Sequence, residues 1–384
     1  MSLRIILSAM VAGVPRQGGI AWIALQYALG LRRLGHQVLL VEQVDEGSVR
    51  PSAVQLAKSE NATYFDEVVR RFGLESQAAM LLSGSRETAG LPYNHIRNWA
   101  RGADLLVNIG GSLADQELLE TIPLRLYLDL DPAFTQLWHA ADGIDMRFSG
   151  HTHFATVGLI LGQPGCPVPT CDIDWISTVP PVVLEEWPYA NGIERDALTA
   201  IANWRGYGSV EADGVFYGQK AHSFRRFIDL PRHIDRRFDL ALAIDRGEPR
   251  DLSALQANGW NLIDPLTVTG TPDQYRDFIQ GSRGEFGIAK SGYVEARCGW
   301  FSDRSVCYLA SGRPVIAQDT GFGAALPTGE GLFAFQSAED VEKAVDEMSR
   351  DYERQRRAAR AIAEEFLDSD VVLRRLLSRV GVEA

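Results

Sequence analysis

The sequence predicts an α/β protein with two Rossmann-like parallel-sheet domains that face each other across a cleft. The chain has 384 residues, which is too long for one ordinary core. Each half alternates short apolar runs with amphipathic helical patterns, as in βαβ units. Six prolines lie between Pro164 and Pro188, a composition typical of a linker. We therefore expect one domain over residues 1–180, a second over 181–360, and a C-terminal helix over 361–384.

The first half contains the clearest βαβ pattern. The run "LRIILSAMVAG" (3–13) predicts a buried strand, and a loop with the pair Gly18-Gly19 follows it. Apolar residues then recur at helical spacing from Ile20 to Leu34, and "HQVLLVEQV" (36–44) predicts the next strand. Further strands are predicted over 103–111, 124–131 and 146–154.

The second half repeats this alternation of strands and helices. We predict strands over 213–220, 238–245, 259–265, 285–290, 314–317 and 331–336. We predict helices over 272–282, 303–311, 338–367 with one break, and 369–381. Such a pattern favours a second parallel sheet, whose ligands would lie at the carboxyl ends of its strands.

Composition excludes several classes of protein. With 38 basic and 50 acidic residues the net charge is −12, which argues against broad binding to nucleic acid or to an anionic membrane. No stretch reaches the roughly 18 apolar residues of a membrane span. The four cysteines form no C-x-x-C pair, so we expect a reducing cytoplasm. Cys166 and Cys171 could pair or bind metal, but no zinc-spaced partners follow, and we predict no metal site.

The segment "SDRS" (302–305) is a candidate anion site. Ser302 suits a helix N-cap and Asp303 suits the first turn of the predicted helix. Free backbone N–H groups and the positive end of the helix dipole attract phosphate there, and Arg304 and Ser305 add side-chain donors. Ordinary helices also begin with Ser-Asp, so these residues alone favour simple capping.

Three stretches resemble segments of glycosyltransferases with the GT-B fold. The stretch "RCGWFSDRS" (297–305) is similar to the nucleotide-sugar signature of plant-type glucosyltransferases, and "YLASGRPVIAQDTG" (308–321) to a block of retaining glycosyltransferases. Residues 14–41 resemble the first loop, helix and strand of that fold. The matching positions are Cys298, Gly299, Trp300 and Ser302, then Ala310, Gly312, Pro314 and Val315, and in the first half Gly18, Gly19, Leu31, Gly35, His36 and Val38. The resemblance covers both halves and is weaker between residues 45 and 100.

This resemblance implies that a nucleotide diphosphate sugar is the co-substrate and that no other cofactor is needed. The second domain would bind this donor, and the final helix would cross back onto the first domain. Donor phosphates would meet the helix start and Lys220, and donor sugar hydroxyls would meet the loop after strand 314–317. The donor-side candidates are Gly18, Gly19, Lys220, Ser291, Ser302, Asp303, Arg304, Ser305, Asp319 and Thr320.

The chain also departs from the resembling enzymes. When the sequences are aligned on Gly312 and Pro314, Cys307 stands where a carboxylate usually holds the donor ribose, and Gly299 stands at a second expected carboxylate. When they are aligned on Cys-Gly-Trp instead, Arg297 replaces a histidine. Both alignments leave the diphosphate at the start of helix 303–311.

Catalytic candidates cluster near the end of strand 124–131. Asp129 and Asp131 are two residues apart, so they share one face of the strand. Asp131 would hold a sugar hydroxyl, stabilise developing positive charge or act as a base, while a divalent-ion pair and helix capping are the alternatives. His151 and His153 are candidate bases because histidine titrates near neutrality, although satisfied structural histidines are common.

Together these features predict a cytoplasmic glycosyltransferase that moves a sugar from a nucleotide diphosphate donor to a small-molecule or glycan acceptor. The predicted partners are therefore that donor and that acceptor, without nucleic acid or a membrane span. An epimerase of the same fold is one alternative. A non-catalytic protein that binds nucleotide sugars is another, because both expected carboxylates are absent.

Overall fold

The computed structural model describes residues 2–382, which form two large sheets flanked by helices. The strands of the first sheet are β1 (Arg4–Ser8), β2 (Gln37–Val44), β3 (Ala78–Leu82), β4 (Thr88–Gly90), β5 (Leu105–Ile109), β6 (Leu124–Asp129), β7 (His153–Thr156) and β8 (Trp175–Ser177). The helices of this half are α1 (Gly18–Arg33), α2 (Glu60–Arg71), α3 (Tyr93–Ala100), α4 (Gln116–Leu119) and α5 (Phe134–Ala140).

The first sheet reverses its strand order at its centre. It runs β4-β3-β2-β1-β5-β6-β7-β8, and all of its pairs are parallel except the pair of β3 with β4. The central strands are buried on both faces, which explains their continuous apolar sequences. Because β1 pairs with both β2 and β5, the connections leave in opposite directions and open a crevice at the carboxyl ends of these strands.

The second sheet is built in the same way. Its strands are β9 (Arg195–Asn203), β12 (Phe238–Ala243), β13 (Asn261–Ile263), β14 (Ser282–Gly287), β15 (Val315–Gln318) and β16 (Leu332–Phe335), and a separate hairpin contains β10 (Val210–Ala212) and β11 (Val215–Tyr217). The helices are α6 (Lys220–Arg225), α7 (Pro249–Ala257), α8 (Pro265–Val268), α9 (Pro272–Gly281), α10 (Ser291–Ala296), α11 (Asp303–Ala310), α12 (Ala338–Arg350), α13 (Tyr352–Ile362) and α14 (Ser369–Arg379), with a π-helical turn at Ala363–Leu367.

The strand order β13-β12-β9-β14-β15-β16 is parallel throughout and reverses between β9 and β14. The sequence did not predict the central strand β9. The predicted strand over 213–220 is wrong in part, because only 215–217 is extended and it pairs with β10 outside the sheet. The predicted strand over 146–154 overlaps β7 only at its last two residues.

Main-chain contacts join the two halves on one side of the cleft. Ile160 donates a hydrogen bond to the carbonyl of Cys298 at 3.1 Å, and Gly158 forms an antiparallel bridge with Trp300. Gly299 has a φ of +82°, and a Cβ there would lie 3.0 Å from the Cβ of Leu159. The Cys-Gly-Trp segment therefore needs glycine at its centre because the first half packs directly against it.

Two helices form the other side of this junction. The Trp22 indole of α1 donates to the Pro272 carbonyl at the start of α9, at 2.8 Å. The final helix, α14, packs against α1, where a Cβ on Gly30 would lie 2.6 Å from Leu373. One continuous apolar cluster includes α1, α9, α11 and α14, so the core does not stop at the boundary between the sheets.

Candidate functional site

A cavity lies in front of the first turn of α11, at the carboxyl ends of β14 and β15. We call it the α11 cavity, and its empty volume is about 240 Å³. Its polar lining comes from Ser302, Arg304, Ser305 and Gln318. Ser302 caps the helix, because its Oγ accepts the Arg304 N–H at 3.2 Å. The cavity thus combines a helix N-terminus with side-chain donors, which suits an anion.

Two cations and one carboxylate lie beside this cavity. Arg304 donates from Nε to Glu285 at 2.5 Å and from Nη1 to the Ile201 carbonyl at 2.9 Å. The Lys220 ammonium donates to the carbonyl of Ile288, a residue that lines the cavity. Burial, followed by the nearby Arg304 charge, lowers the pKa of Lys220 to about 7. Both cations lie at the reversal point of the sheet, and an incoming anion would restore the charge on Lys220.

Asp131 lies across the cleft from the second half of the chain. Its Oδ1 accepts hydrogen bonds from the hydroxyls of Tyr207 and Tyr293, and from the Lys290 ammonium at 3.3 Å. Its side chain is 42% exposed, and Oδ2 has no hydrogen-bond partner within residues 2–382. Burial lowers the pKa of Lys290, and the Asp131 charge opposes that shift. Asp131 therefore has one oxygen fixed by the opposite half and one open to the cleft.

A second cavity, the cleft cavity, lies between the two halves and has an empty volume of about 440 Å³. Residues of α1, α9 and the 180–181 segment form its walls, and Trp300 and Phe301 separate it from the α11 cavity. Asp303 lines the cleft cavity and is absent from the lining of the α11 cavity. Burial raises the pKa of Asp303, with the neighbouring carboxylates Asp131 and Glu285 adding to that increase.

No protein-family model and no curated protein sequence matches this chain. Solved structures match over nearly its whole length. An alpha-glucosyltransferase in complex with UDP-glucose and abasic DNA is 12% identical, covers 99% of this chain and 100% of its own, and has a TM-score of 0.60. HepE from Anabaena, in complex with UDP and glucose, is 11% identical over 98% of this chain and 99% of its own, with a TM-score of 0.58. AviGT4, a glycosyltransferase of avilamycin A biosynthesis, is 14% identical over 98% and 97%, with a TM-score of 0.51.

The chain has the GT-B fold. Two Rossmann-like domains facing across a cleft are the architecture that the sequence predicts, and this prediction is confirmed. Over the described residues no helix is long and apolar enough to cross a membrane. Within the same range, no group of three or more His, Cys, Asp or Glu is arranged to hold a metal ion.

Within this GT-B fold, several candidate residues have structural contacts that differ from their predicted roles. Gly18 donates its N–H to the Thr269 carbonyl at 2.8 Å, and a Cβ on Gly19 would lie 2.7 Å from the Tyr275 ring. These glycines allow α1 to approach α9, and the Gly18 N–H is already bonded and is not free to bind phosphate. Asp303 lines the cleft cavity and not the α11 cavity, and its carboxylate would repel a phosphate.

The loop after β15 is likewise engaged in structural contacts. Thr320 is buried and donates its hydroxyl to the Trp300 carbonyl at 2.5 Å. Asp319 accepts from Gln336 at 2.7 Å and from the Gly321 N–H at 2.8 Å. Neither side chain lines either of the two cavities described above. The sugar contacts predicted for this loop are therefore not supported by its geometry.

Asp129 has a structural role. Its side chain is 1% exposed and accepts hydrogen bonds from Thr135, Gln136 and Thr156 at 2.7–2.9 Å, and from the Asp131 N–H at 3.0 Å. These donors fill the acceptor sites of the carboxylate, so the predicted Asp129–Asp131 pair does not act as one unit. Asp129 instead fixes the backbone that carries Asp131.

Neither of the two candidate histidines, His151 and His153, forms a hydrogen bond with Asp131. His153 pairs with Leu126 at the amino end of its strand, about 10 Å along the sheet from the carboxyl edge. His151 contacts Asn108 at 3.0 Å through Nε2, and burial lowers its pKa. Ser291 begins α10 beside Lys290, and its buried hydroxyl has no partner within residues 2–382. The structure thus brings Asp131 together with Lys290. It also brings Lys220 close to Arg304 and the start of α11.

Sequence reasoning missed the two tyrosines that hold Asp131. Tyr207 lies between β9 and the β10–β11 hairpin, and Tyr293 lies in the short helix α10. Tyr293 stacks on Trp300 with ring centroids 4.2 Å apart, which places the Trp ring beside both cavities. No spacing in the sequence links these residues, since 86 positions separate the tyrosines.

Proposed function

We propose that this protein is a glycosyltransferase that transfers a sugar from a UDP-sugar to an acceptor. The observation that carries the proposal is the pair of buried cations, Lys220 and Arg304, beside the N-terminus of α11. Glu285 forms an ion pair with Arg304, whereas no carboxylate within residues 2–382 forms an ion pair with the Lys220 ammonium, so that ammonium is open to pairing with a further anion. A nucleoside diphosphate supplies that charge, and two solved structures of the same fold contain UDP-glucose in one case and UDP in the other.

The same groups would assist departure of the nucleotide. Negative charge develops on the diphosphate as the bond to the sugar breaks, and fixed donors aimed at that charge lower the barrier. Ser302, Ser305 and the first N–H groups of α11 would bind the phosphate oxygens, and Lys220 would become fully charged. This division of roles requires no bound metal.

Asp131 would act on the sugar from the opposite half of the chain. Its Oδ1 is occupied by three donors, and its open Oδ2 is suited to accept a sugar hydroxyl. The fixed negative charge would also stabilise positive charge that develops at the sugar.

We further propose that the acceptor is a small molecule or a glycan and that the protein works in a reducing cytoplasm. All four cysteines are unpaired, as expected for such a compartment. A chain with a net charge of −12 is poorly suited to bind a polyanionic acceptor, because like charges repel each other.

Nucleotide release from UDP-glucose tests the proposal. The full chain is incubated with UDP-glucose alone and with mixed small-molecule hydroxyl acceptors, and UDP and sugar products are followed by chromatography. Lys220→Met should abolish release, whereas Lys343→Met, at an exposed position of α12, should leave it unchanged. Conversion of UDP-glucose to an isomer would instead indicate an epimerase. UDP binding without turnover under any acceptor would indicate a binding protein, and absence of UDP binding would refute the donor site.

A further inference from the structure

The turn between β6 and α5 holds one residue in an unfavourable backbone conformation. Ala133 is fully buried and has a φ of 77° and a ψ of −56°. Residues with a side chain rarely adopt this conformation, and it persists only where the surrounding structure enforces it. Pro132 links Ala133 to Asp131 and disfavours a helical backbone at Asp131. The direction of the Asp131 side chain therefore depends on the groups that hold Ala133.

One side chain of α5 holds this turn. Gln136 is fully buried, and its Oε1 accepts the Ala133 N–H at 2.7 Å. Its Nε2 donates to Oδ2 of Asp129 at 2.9 Å, and Oδ1 of Asp129 accepts the Asp131 N–H at 3.0 Å. The amide has only this orientation, because a reversed amide would place its oxygen against a carboxylate and its nitrogen against an N–H group. Gln136 thus connects the strained residue to the carboxylate that fixes the Asp131 backbone.

Ordinary capping of α5 does not account for this arrangement. An N-cap residue normally has an extended backbone and a side-chain oxygen that accepts an N–H group of the first turn. Ala133 occupies the N-cap position and has neither feature. In a capping box the third helical residue only has to reach back to the N-cap N–H, whereas Gln136 also bonds a buried carboxylate at the end of β6. The glutamine therefore does more than begin a helix.

The turn lies against fixed groups on both sides. Two tyrosine hydroxyls and the Lys290 ammonium, all from the second half of the chain, donate to Oδ1 of Asp131. On the other side, a Cβ on Gly158 would lie 2.8 Å from the Cβ of Pro132. A displacement of the turn by about 1 Å would change the alignment of Asp131 with a bound sugar, and misplacement on this scale can lower turnover strongly.

We propose that Gln136 is a positioning residue for sugar transfer, because it holds Ala133 in its strained conformation and so directs Oδ2 of Asp131 toward the sugar. This inference rests on the proposed transferase function, in which Asp131 acts on the sugar. Gln136 is fully buried, so it acts through the backbone and not by contact with the sugar. Loss of Gln136 should therefore lower turnover and leave UDP affinity nearly unchanged.

A glycine at position 133 makes the inference testable, because glycine adopts a positive φ without strain. Gln136→Met is made with alanine and with glycine at position 133, and UDP release from UDP-glucose is measured with the mixed hydroxyl acceptors. With alanine, the turn should relax and turnover should fall about tenfold or more. With glycine, the turn should persist and the same substitution should lower turnover by less than about threefold. UDP affinity, measured by calorimetry, should stay within about threefold in both backgrounds.

Chemical denaturation of the same proteins gives a readout that does not require turnover. Relaxation of the strain recovers part of the lost stability, so Gln136→Met should lower the denaturation midpoint less with alanine than with glycine at position 133. Turnover and stability should thus show opposite dependences on residue 133. Gln355→Met is the matched control, because Gln355 is also a buried glutamine and accepts the Gly331 N–H at 2.7 Å. Its effects on turnover and on the midpoint should be the same in both backgrounds.

The outcomes separate this inference from the proposed function. Equal losses of turnover in the two backgrounds would show that Gln136 has only a packing role, and the inference would be wrong while the transferase proposal stands. If the unmodified protein releases no UDP, the proposed function fails, and the denaturation comparison alone decides whether Gln136 holds the turn. If Gln136→Met does not bind UDP, Gln136→Asn replaces it with the same expected pattern, because asparagine is too short to bond Ala133 and Asp129 together.

Discussion

Binding of UDP should draw a proton onto Lys220. The pKa of this lysine is lowered to about 7 by burial and by Arg304, so at pH 8 only about one tenth of the molecules carry the charge. A diphosphate beside the ammonium favours the charged form and returns the pKa toward its ordinary value of 10.5. Binding at pH 8 should therefore take up about 0.9 proton. Because the charged form dominates below pH 7, UDP affinity should rise as the pH falls from 8.5 to 7.

Proton uptake can be measured by titration calorimetry of UDP in buffers with different ionisation enthalpies. Lys220→Met should abolish the uptake and weaken UDP binding about tenfold to a hundredfold, the loss expected for one hydrogen bond to a charged group. Lys343→Met, at an exposed position of α12, should change neither quantity. An uptake near zero in the unmodified protein, or an uptake that persists in Lys220→Met, would refute the assignment of Lys220 as the phosphate-binding cation.

Three further substitutions test other parts of the structure. Arg304→Ala should destabilise the protein by about 3–5 kcal/mol, because it leaves Glu285 buried and unpaired. Chemical denaturation would detect this loss of stability, and an unchanged denaturation midpoint would contradict the ion pair. Asp131→Asn should lower turnover about a hundredfold and leave UDP affinity within a factor of three, so activity at the level of the unmodified protein would remove Asp131 from the mechanism. Gly18→Ala should cost about 1–3 kcal/mol, because its Cβ would lie 2.2 Å from the Thr271 carbonyl oxygen, whereas Gly47→Ala, with no atom within 4 Å of its Cβ, should have little effect in the same denaturation assay.

The fold could be predicted because its buried strands are continuous apolar runs. β2 and β12 have mainly apolar sequences, as expected for strands that are buried on both faces. The central strand β9 is the exception, since "RDALTAIAN" mixes polar and small residues and resembles a helix as much as a strand. Thr199 in this strand bonds the Ser282 hydroxyl of β14, a contact that only the assembled sheet provides.

Only those parts of the candidate site that consist of consecutive residues could be predicted from the sequence. The capped start of α11 follows from four consecutive residues, and the structure begins the helix at Asp303 as the sequence predicts. The direction of the Asp303 side chain depends on the packing of α1 against α11, which no local pattern encodes. The same holds for Lys220, which lies 84 positions before Arg304, since the burial and the nearby Arg304 charge that lower its pKa arise only in the folded chain.

The junction of Cys298–Trp300 with Gly158–Ile160 has a consequence for how the molecule unfolds. Hydrogen bonds of the main chain and one shared apolar cluster connect the two sheets, so neither half keeps a complete interior when the other is lost. Removal of the second half would expose the apolar face of α1 that packs against α9 and α14. The two halves should therefore denature in a single transition, and a truncated half should aggregate when expressed without its partner.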